Sequence, residues 1–136
     1  MKTVYKLLTR HNKQLHSYLK SYDSLAKYMP TQRYFVGDVV MPKIGKIFAF
    51  DTWEHARNYP NGDEFLHRHV VIAEARTTHV TPWENGILSP HGSDITDVKN
   101  FWNEFNLTKS FPSVMTAPIG TVLCDDLIIV RVLKTA

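Results

Sequence analysis

Residues 45–62, GKIFAFDTWEHARNYPNG, hold the clearest structural signal in the sequence. The apolar run IFAF is typical of a short buried strand. Asp51 follows it as a predicted helix N-cap, with Glu54 three residues later in the spacing of a capping box. Ala56 lets the new helix pack closely on a sheet, and the YPNG that follows ends the helix and turns the chain. We therefore expect a buried strand joined tightly to one or two helical turns.

The residues before this stretch predict two strands and a helix. Residues 3–9 form the first predicted strand. Apolar side chains then recur at three- and four-residue spacing from Leu15 to Met29, which predicts either one helix or two short helical pieces that Pro30 ends. The run RYFVGDVVM at residues 33–41 predicts a strand with a bend or bulge at Gly37.

The residues after it predict a strand, a helix and a terminal hairpin. HRHVVIAEART, residues 67–77, predicts a strand buried on both faces. We expect residues 81–94 and 110–120 to be loops, with a helix over residues 95–106 between them. TVLCDDLIIVRVL, residues 121–133, predicts a β-hairpin with its turn at Asp125 and Asp126.

The element order is thus β, α, β, β, short α, β, α, β, β. This order is typical of the α+β class and not of an alternating doubly wound fold. We expect one α+β domain over residues 1–136, with a mostly antiparallel sheet, two or three helices, and a split barrel as one arrangement of the strands.

Composition narrows the class of protein. The 136 residues are 43% hydrophobic and 21% charged, which suits a globular domain that needs no metal or disulfide to fold. Cys124, the single cysteine, lies in an apolar run and is predicted to be a buried thiol, which favours a reducing compartment. No signal peptide or membrane-spanning run is evident, so we expect a soluble cytoplasmic protein that does not engage a membrane.

Charge and histidine content exclude some functions and leave others open. The net charge of +3 and the pI of about 9.0 favour anionic partners, but the basic residues are scattered, which disfavours direct nucleic-acid binding. Seven histidines, among them His67 and His69, raise a metal hypothesis, yet their spacing matches no zinc motif. Nucleophile-elbow, triad and phosphate-loop patterns are also missing. We therefore expect neither a metal nor a cofactor, and no catalytic residue is assigned.

Cations and aromatic residues near the ends of predicted elements form the candidate ligand site. Arginine forks onto phosphate and aromatic rings stack on bases, so together these residue types permit a nucleotide-type ligand. Sequential strands often lie side by side, which would bring the first two pairs of residues in this set together. The predicted ligand-binding residues are Arg10, His11, Arg33, Tyr34, Lys43, Trp53 and Arg57, with Trp83 and His91 in similar positions.

Three segments resemble a family of small uncharacterised proteins from tailed phages and bacterial mobile elements. They are YFVGDVVMPKIGKIFAFD at residues 34–51, EHAR at residues 54–57 and GTVLCD at residues 120–125. The shared layout is a YxVG strand, a Pro/Gly turn, an F-F-D strand, an E-x-A-R helix and a final G-T-V segment. The resemblance covers most of the chain, its motifs are structural, and the family carries no established activity.

The middle of the chain is also similar to the ADP-ribosyltransferase fold, a split and mostly antiparallel β core that grips NAD. That resemblance would place Arg10 or His11 at the first-strand position and Tyr34 at the middle-strand position. The late glutamate of that fold has no match here, because the chain offers only Asp125 and Asp126.

The resulting hypothesis is a phage-type accessory protein that binds rather than catalyses. Its partner is expected to be a nucleotide-derived anion or a host protein, and the resemblance adds a counter-defence role in the host cytoplasm. The alternative is an enzyme of the ADP-ribosyltransferase type that uses NAD, or its inactive relative.

Overall fold

The computed structural model describes residues 1–11, 13–17, 33–42, 46–60, 69–83, 86–88, 114–116 and 118–133. These residues form eleven strands and one short helix. In chain order they are β1 Lys2–His11, β2 Gln14–Ser17, β3 Arg33–Tyr34, β4 Val39–Val40, β5 Ile47–Phe50, α1 Trp53–Asn58, β6 Val70–Thr77, β7 Val80–Pro82, β8 Gly86–Leu88, β9 Val114–Thr116, β10 Thr121–Cys124 and β11 Leu127–Leu133.

One large open sheet dominates the described residues, and all its strand pairings are antiparallel. Its order is β4-β11-β6-β1-β5-β10-β7, and β8 and β9 form a separate pair. β1 is the central strand: residues 2–9 pair with β6 along one edge. The other edge is divided, because Tyr5 pairs with Phe50 of β5 while residues 8–11 pair with β2, which in turn pairs with β3. The prediction of a mostly antiparallel sheet is confirmed.

The connection between β10 and β11 requires the sheet to curl. Only Asp125 and Asp126 join these strands, yet β5, β1 and β6 lie between them in the sheet. Four strand spacings would separate them by about 19 Å in a flat sheet. The three residue steps from Cys124 to Leu127 span at most about 11 Å. The two strands must therefore bend toward each other, although β10 pairs with β5 and β7 and β11 pairs with β6 and β4.

The curl separates an inner face from an outer one, and alternate residues of each strand follow this division. The inner face carries the larger core cluster, including Val4 and Leu8 of β1, Ala73 of β6, and Cys124 and Ile129 of the last two strands. Leu7, Phe50, Val70 and Ile72 lie on the outer face with Ala56 of α1. The short helix thus covers part of the outer face, and its alanine has no exposed surface.

The helix begins one residue later than expected. Thr52 is the N-cap, because its hydroxyl accepts from the amide of His55 at 3.1 Å and its backbone is extended. The prediction that Asp51 caps this helix is therefore wrong. Threonine is nearly as good a cap as aspartate, and the Asp51 side chain instead contacts the ring of His55.

Four further expectations need correction. The predicted helix from Leu15 is wrong at its start, since residues 14–17 are β2, and the rest of it lies outside the described residues, as does the predicted helix over 95–106. The described residues thus support one short helix, not two or three. The predicted loops contain β7, β8 and β9. The terminal strands turn where expected but do not form a hairpin, because each pairs with other strands.

Candidate functional site

The predicted ligand-binding residues fall into two groups. Arg10 and His11 end β1, and Arg33 and Tyr34 form β3, two strands away across β2. Trp53 and Arg57 lie together on α1. Lys43 lies outside the described residues, as does His91, and for His11 only the backbone is described.

We call the end of β1 at Arg10 and His11, together with β3, the strand corner. The described side chains of the strand corner do not converge on one point. Arg10 is opposite Leu15, which is opposite Tyr34, so these three share a face of the sheet. Tyr34 is only 3% exposed and belongs to the inner core, while Arg10 is exposed. Arg33, the neighbour of Tyr34, lies on the other face with its guanidinium 5.1 Å from the centre of the Phe35 ring. The tyrosine ring therefore offers little surface for a base to stack on.

The residues on α1 contact each other. The guanidinium of Arg57 lies 5.5 Å from the centre of the Trp53 ring, a cation–π contact along one side of the helix. Trp53 also packs against the outer core cluster. These contacts give both side chains a structural role.

A pocket of about 570 Å³ lies elsewhere, where β1 and β10 begin and β7 ends. We call it the end pocket. It is lined by residues 2–4, by Asp51, by Val80, Pro82 and Trp83, and by residues 118–122. Val4 and Val122 belong to the inner core cluster, so the end pocket opens onto the inner face of the curled sheet.

The walls of the end pocket are mostly apolar, with a few polar groups of both signs. Trp83, Pro118 and Ile119 supply ring and aliphatic surface, and Ile119 is 81% exposed at the rim. Lys2 brings a cation and Asp51 a carboxylate. Ligand sites are typically apolar cavities of 300–1,000 Å³ with a few placed polar groups, and the end pocket fits that description.

Asp51 is held through both its side chain and its backbone. Its Oδ1 lies 2.6 Å from Nδ1 of His55, four residues later, and its amide donates to the Gly120 carbonyl at 2.9 Å. The contact is an ion pair when His55 is protonated and a hydrogen bond when it is neutral. Thr52 fixes the start of α1, and this places the imidazole one turn later, above the carboxylate.

Gly120 is the residue that makes this contact possible. Its φ of +87° is in the region that favours glycine. A Cβ at this position would lie 2.3 Å from His55 Nδ1 and 2.6 Å from Asp51 Oδ1. The turn at residues 118–120 is closed by the Thr121 hydroxyl, which donates to the Pro118 carbonyl at 2.6 Å. The backbone therefore packs directly on the Asp51–His55 pair.

A second polar group lies inside the curl, away from the end pocket. Lys6 is 9% exposed, and burial lowers its pKa to about 8, a shift that the charge of Cys124 opposes. Burial raises the pKa of the Cys124 thiol to about 11, against the effects of Lys6 and of a hydrogen bond with Thr77. The thiol is fully buried and protonated at neutral pH, so it is not a nucleophile.

Most of the end pocket is not predicted from the sequence. The sequence indicates Trp83 as an aromatic residue near the end of an element, but it does not single out Lys2, and it predicts Asp51 only as a helix cap. A signal for the Asp51–His55 pair is present in the sequence, because the acid lies just before the predicted helix start and the histidine lies about one turn later. The approach of Gly120 was not predictable, because it depends on β10 pairing with β5 across seventy residues.

The described residues hold no group of three or more His, Cys, Asp or Glu side chains arranged to bind a metal ion. His67, part of the metal hypothesis, lies outside them. Within the same ranges, no helix is long and apolar enough to cross a membrane.

Comparison with known proteins gives no guide to function. No protein-family model matches the chain, and neither the curated proteins nor the solved structures with which it was compared include a match.

Proposed function

We propose that this protein binds a small nucleotide-derived anion in the end pocket and does not transform it. The observation that carries the proposal is the pocket itself, with about 570 Å³ of space, apolar walls, and Lys2 and Asp51 among its lining residues. A mononucleotide combines a flat ring, hydroxyl groups and a charged phosphate. Each of these parts has a chemically suitable counterpart in the lining.

Trp83 and the exposed Ile119 support the ring-binding part of the proposal. Stacking of a base on an aromatic side chain contributes about 1–3 kcal/mol. Ile119 is far more exposed than an isoleucine in a packed turn needs to be. A bound ring would cover it and remove apolar surface from water, which is favourable by about 25 cal/mol per Å².

Lys2 supports the anion-binding part. It is exposed at the start of β1 and lines the end pocket. A charge-assisted hydrogen bond from its ammonium to a phosphate is roughly twice as strong as a neutral one. The excess of positive charge over the whole chain, +3, favours the approach of an anion.

The test is a thermal-shift screen of ribonucleotides, cyclic oligonucleotides and NAD derivatives. Ligand at about 100 times its dissociation constant raises the stability of the folded state by about 2.7 kcal/mol. We expect at least one compound to raise the melting temperature, and expect Trp83→Ala and Lys2→Gln each to abolish the shift. The strand corner supplies the control, since Arg10→Gln should leave the shift intact. A shift lost only in Arg10→Gln would move the site to that corner, and no shift with any compound would refute the proposal.

A host protein is the second candidate partner, and a separate observation favours it. Four apolar side chains on and beside β4 are 52–62% exposed: Phe35, Val36, Val39 and Met41. β4 is an end strand of the main sheet path, and such strands are common sites of added-strand contacts between proteins. If this strip binds a partner, Val39→Lys with Met41→Lys should prevent binding of a purified partner and leave nucleotide-induced shifts unchanged.

The phage-type counter-defence role in this proposal rests on the resemblance in layout alone.

The NAD-using alternative needs an acidic residue late in the chain. Asp125 pairs with Lys46, and Asp126 accepts hydrogen bonds from Thr77 and Thr78, so both late acids already have structural partners. We therefore expect the purified protein to leave NAD intact. Consumption of NAD that is lost in Arg10→Ala would favour the enzyme instead.

A further inference from the structure

The Asp51 carboxylate is a fixed acceptor on the wall of the end pocket. Its side chain is 48% exposed, and only Oδ1 contacts His55. The Asp51 backbone amide donates a hydrogen bond to the Gly120 carbonyl, and the Gly120 backbone lies close to Oδ1 of the side chain. Among the described residues, this carboxylate has a hydrogen-bond contact with His55, and the residue lines the end pocket with about half of its side-chain surface exposed.

An ionised carboxylate only accepts hydrogen bonds, so a ligand must present a donor to it. Two kinds of donor are common in small metabolites, namely amines and hydroxyl groups. Lys2 lines the same cavity, and it favours a ligand that carries an anion as well as the donor. A ribonucleotide presents both, with sugar hydroxyls at a short distance from its phosphate. Acidic side chains bind ribose hydroxyls in this way in dinucleotide-binding folds.

We propose that Asp51 makes the end pocket selective for ribonucleotides over 2′-deoxyribonucleotides by accepting a hydrogen bond from the 2′-hydroxyl. This inference rests on the proposed function, since it names the ligand class of the same pocket. His55 acts as a positioning residue, because its contact with Oδ1 orients a carboxylate that lines the cavity. Gly120 leaves the space in which this pair sits.

The experiment compares dissociation constants for matched pairs, such as AMP with dAMP and GMP with dGMP, by calorimetry on the full chain. The deoxy compound lacks the hydroxyl that would donate to the charged carboxylate. The loss of such a hydrogen bond weakens binding by about tenfold or more. We expect the wild-type protein to show this ratio for every base that binds. In Asp51→Ala the ratio should fall to about 1, through weaker binding of the ribonucleotide and unchanged binding of the deoxynucleotide.

Three further variants distinguish recognition from loss of structure. Glu54→Ala removes a carboxylate from an exposed position three residues further on, outside the end pocket, and should keep the full ratio. His55→Ala should reduce the ratio but not abolish binding, because the carboxylate remains and only its orientation is lost. If Asp51→Ala does not fold, as judged by circular dichroism, Asp51→Asn replaces it and should at least halve the ratio.

Failure of this inference is distinct from failure of the proposed function. If no nucleotide of either sugar type binds, both are refuted. If nucleotides bind through Trp83 and Lys2 but ribose and deoxyribose forms bind equally, only the role of Asp51 is refuted. If Asp51→Ala keeps the wild-type ratio of dissociation constants, the role of Asp51 is refuted and the proposed function is not.

Discussion

The Nζ atom of Lys6 donates a hydrogen bond to the backbone carbonyl of Phe48 at 2.7 Å, inside the curled sheet. The lysine lies on β1 and the carbonyl on β5, so this hydrogen bond joins two neighbouring core strands. Val4 and Leu8, the neighbours of Lys6 on this face, are apolar core residues. One carbonyl does not replace the water that an ammonium loses on burial, and this loss lowers the pKa of Lys6.

We predict that Lys6→Met stabilises the protein. The pKa of Lys6 falls from 10.5 to about 8 on folding, so at pH 7 the folded state holds a charge that it disfavours. At 1.36 kcal/mol per pKa unit the penalty is about 3 kcal/mol at most, and we expect a gain of about 1–3 kcal/mol in the free energy of unfolding measured with urea. Lys2→Met, at an exposed position on the same strand, should change it by less than about 0.5 kcal/mol. A loss of stability in Lys6→Met would mean that the bond to Phe48 outweighs desolvation.

The lowered pKa of Lys6 also predicts an unusual rise of the free energy of unfolding at alkaline pH. The folded state releases the Lys6 proton near pH 8, whereas the unfolded chain holds it to about 10.5. The unfolded state therefore binds more protons in this range, and stability rises with pH. Urea midpoints measured between pH 7 and 9 should increase for the wild-type protein and stay level in Lys6→Met. Identical pH profiles for the two proteins would contradict the lowered pKa.

Cys124 should act in the opposite direction. Burial raises its pKa from 9.0 to about 11, so above pH 9 the unfolded thiol loses its proton while the folded thiol keeps it. Stability then falls as pH rises from 9 to 11. In the Lys6→Met background this fall should appear alone, and Cys124→Ala in that background should reduce it. At pH 8, labelling of the native thiol by a disulfide reagent should occur only at the rate of opening; rapid labelling would show that the thiol is accessible.

The strands were predictable from the sequence where the pattern is local. β1, β5 and β6 lie where the apolar runs predict them, and α1 lies before the predicted proline stop, although Thr52 caps it in place of Asp51. Pairing was harder to predict. The two-residue link at Asp125 and Asp126 indicates a hairpin, but β10 pairs with β5 and β7 while β11 pairs with β6 and β4. Short-range turn chemistry says where a chain reverses and not which strands it joins.

The candidate site was harder still, because it is made by contacts between residues far apart in the chain. Lys2, Asp51, Trp83 and Gly120 come from four separate segments. The aromatic ring of Tyr34 is of a type that suits ligand stacking, yet the position of Tyr34 opposite Leu15 places it in the core. Alternation along a two-residue strand is too short a pattern to distinguish the exposed residue from the buried one.

The cap of α1 gives a direct test of local structure. Thr52→Ala should lower the free energy of unfolding by about 0.5–2 kcal/mol, since the His55 amide loses its partner. Thr52→Ser keeps the hydroxyl and should cost much less. If Asp51→Ala costs more than Thr52→Ala in urea unfolding, the assignment of the cap to Thr52 is incorrect.

Gly120→Ala should be far more costly than a comparable change at Gly37. Both glycines have positive φ, +87° and +91°, so alanine strains the backbone at each by about 1–2 kcal/mol. Only at Gly120 does the new Cβ overlap other groups, chiefly the ring of His55 and also the carboxylate of Asp51, whereas nothing lies within 4 Å at Gly37. We expect the extra cost at Gly120 to shrink in a His55→Ala background, as a double-mutant cycle would measure. Equal costs at the two glycines would show that the ring moves aside freely.

Asp126 anchors the turn between β10 and β11 to the end of β6. Its carboxylate accepts from the amide of Thr78 at 2.8 Å, from the Thr78 hydroxyl at 2.8 Å and from the Thr77 hydroxyl at 3.1 Å. The backbone bond from Thr78 is the main cause of a lowered pKa, supported by both hydroxyls and opposed by partial burial. Asp126→Ala should therefore cost about 1–2 kcal/mol of stability at pH 7, in line with hydrogen bonds to a partly exposed charged group. The neighbouring Asp125→Ala, which removes a surface ion pair with Lys46, should cost less than about 1 kcal/mol.

The pH dependence of that cost identifies its origin. Because the folded-state pKa of Asp126 is lowered, its stabilisation is complete above the ordinary value of 3.8 and disappears as pH falls through the folded value. The difference in urea midpoint between wild type and Asp126→Ala should accordingly be constant from pH 5 to 7 and shrink progressively below pH 4. The Asp125→Ala variant, measured in parallel, controls for the general loss of carboxylate charge in acid. A difference that persists undiminished below pH 3 would mean that Asp126 stabilises the turn through packing or backbone conformation and not as a hydrogen-bonded carboxylate.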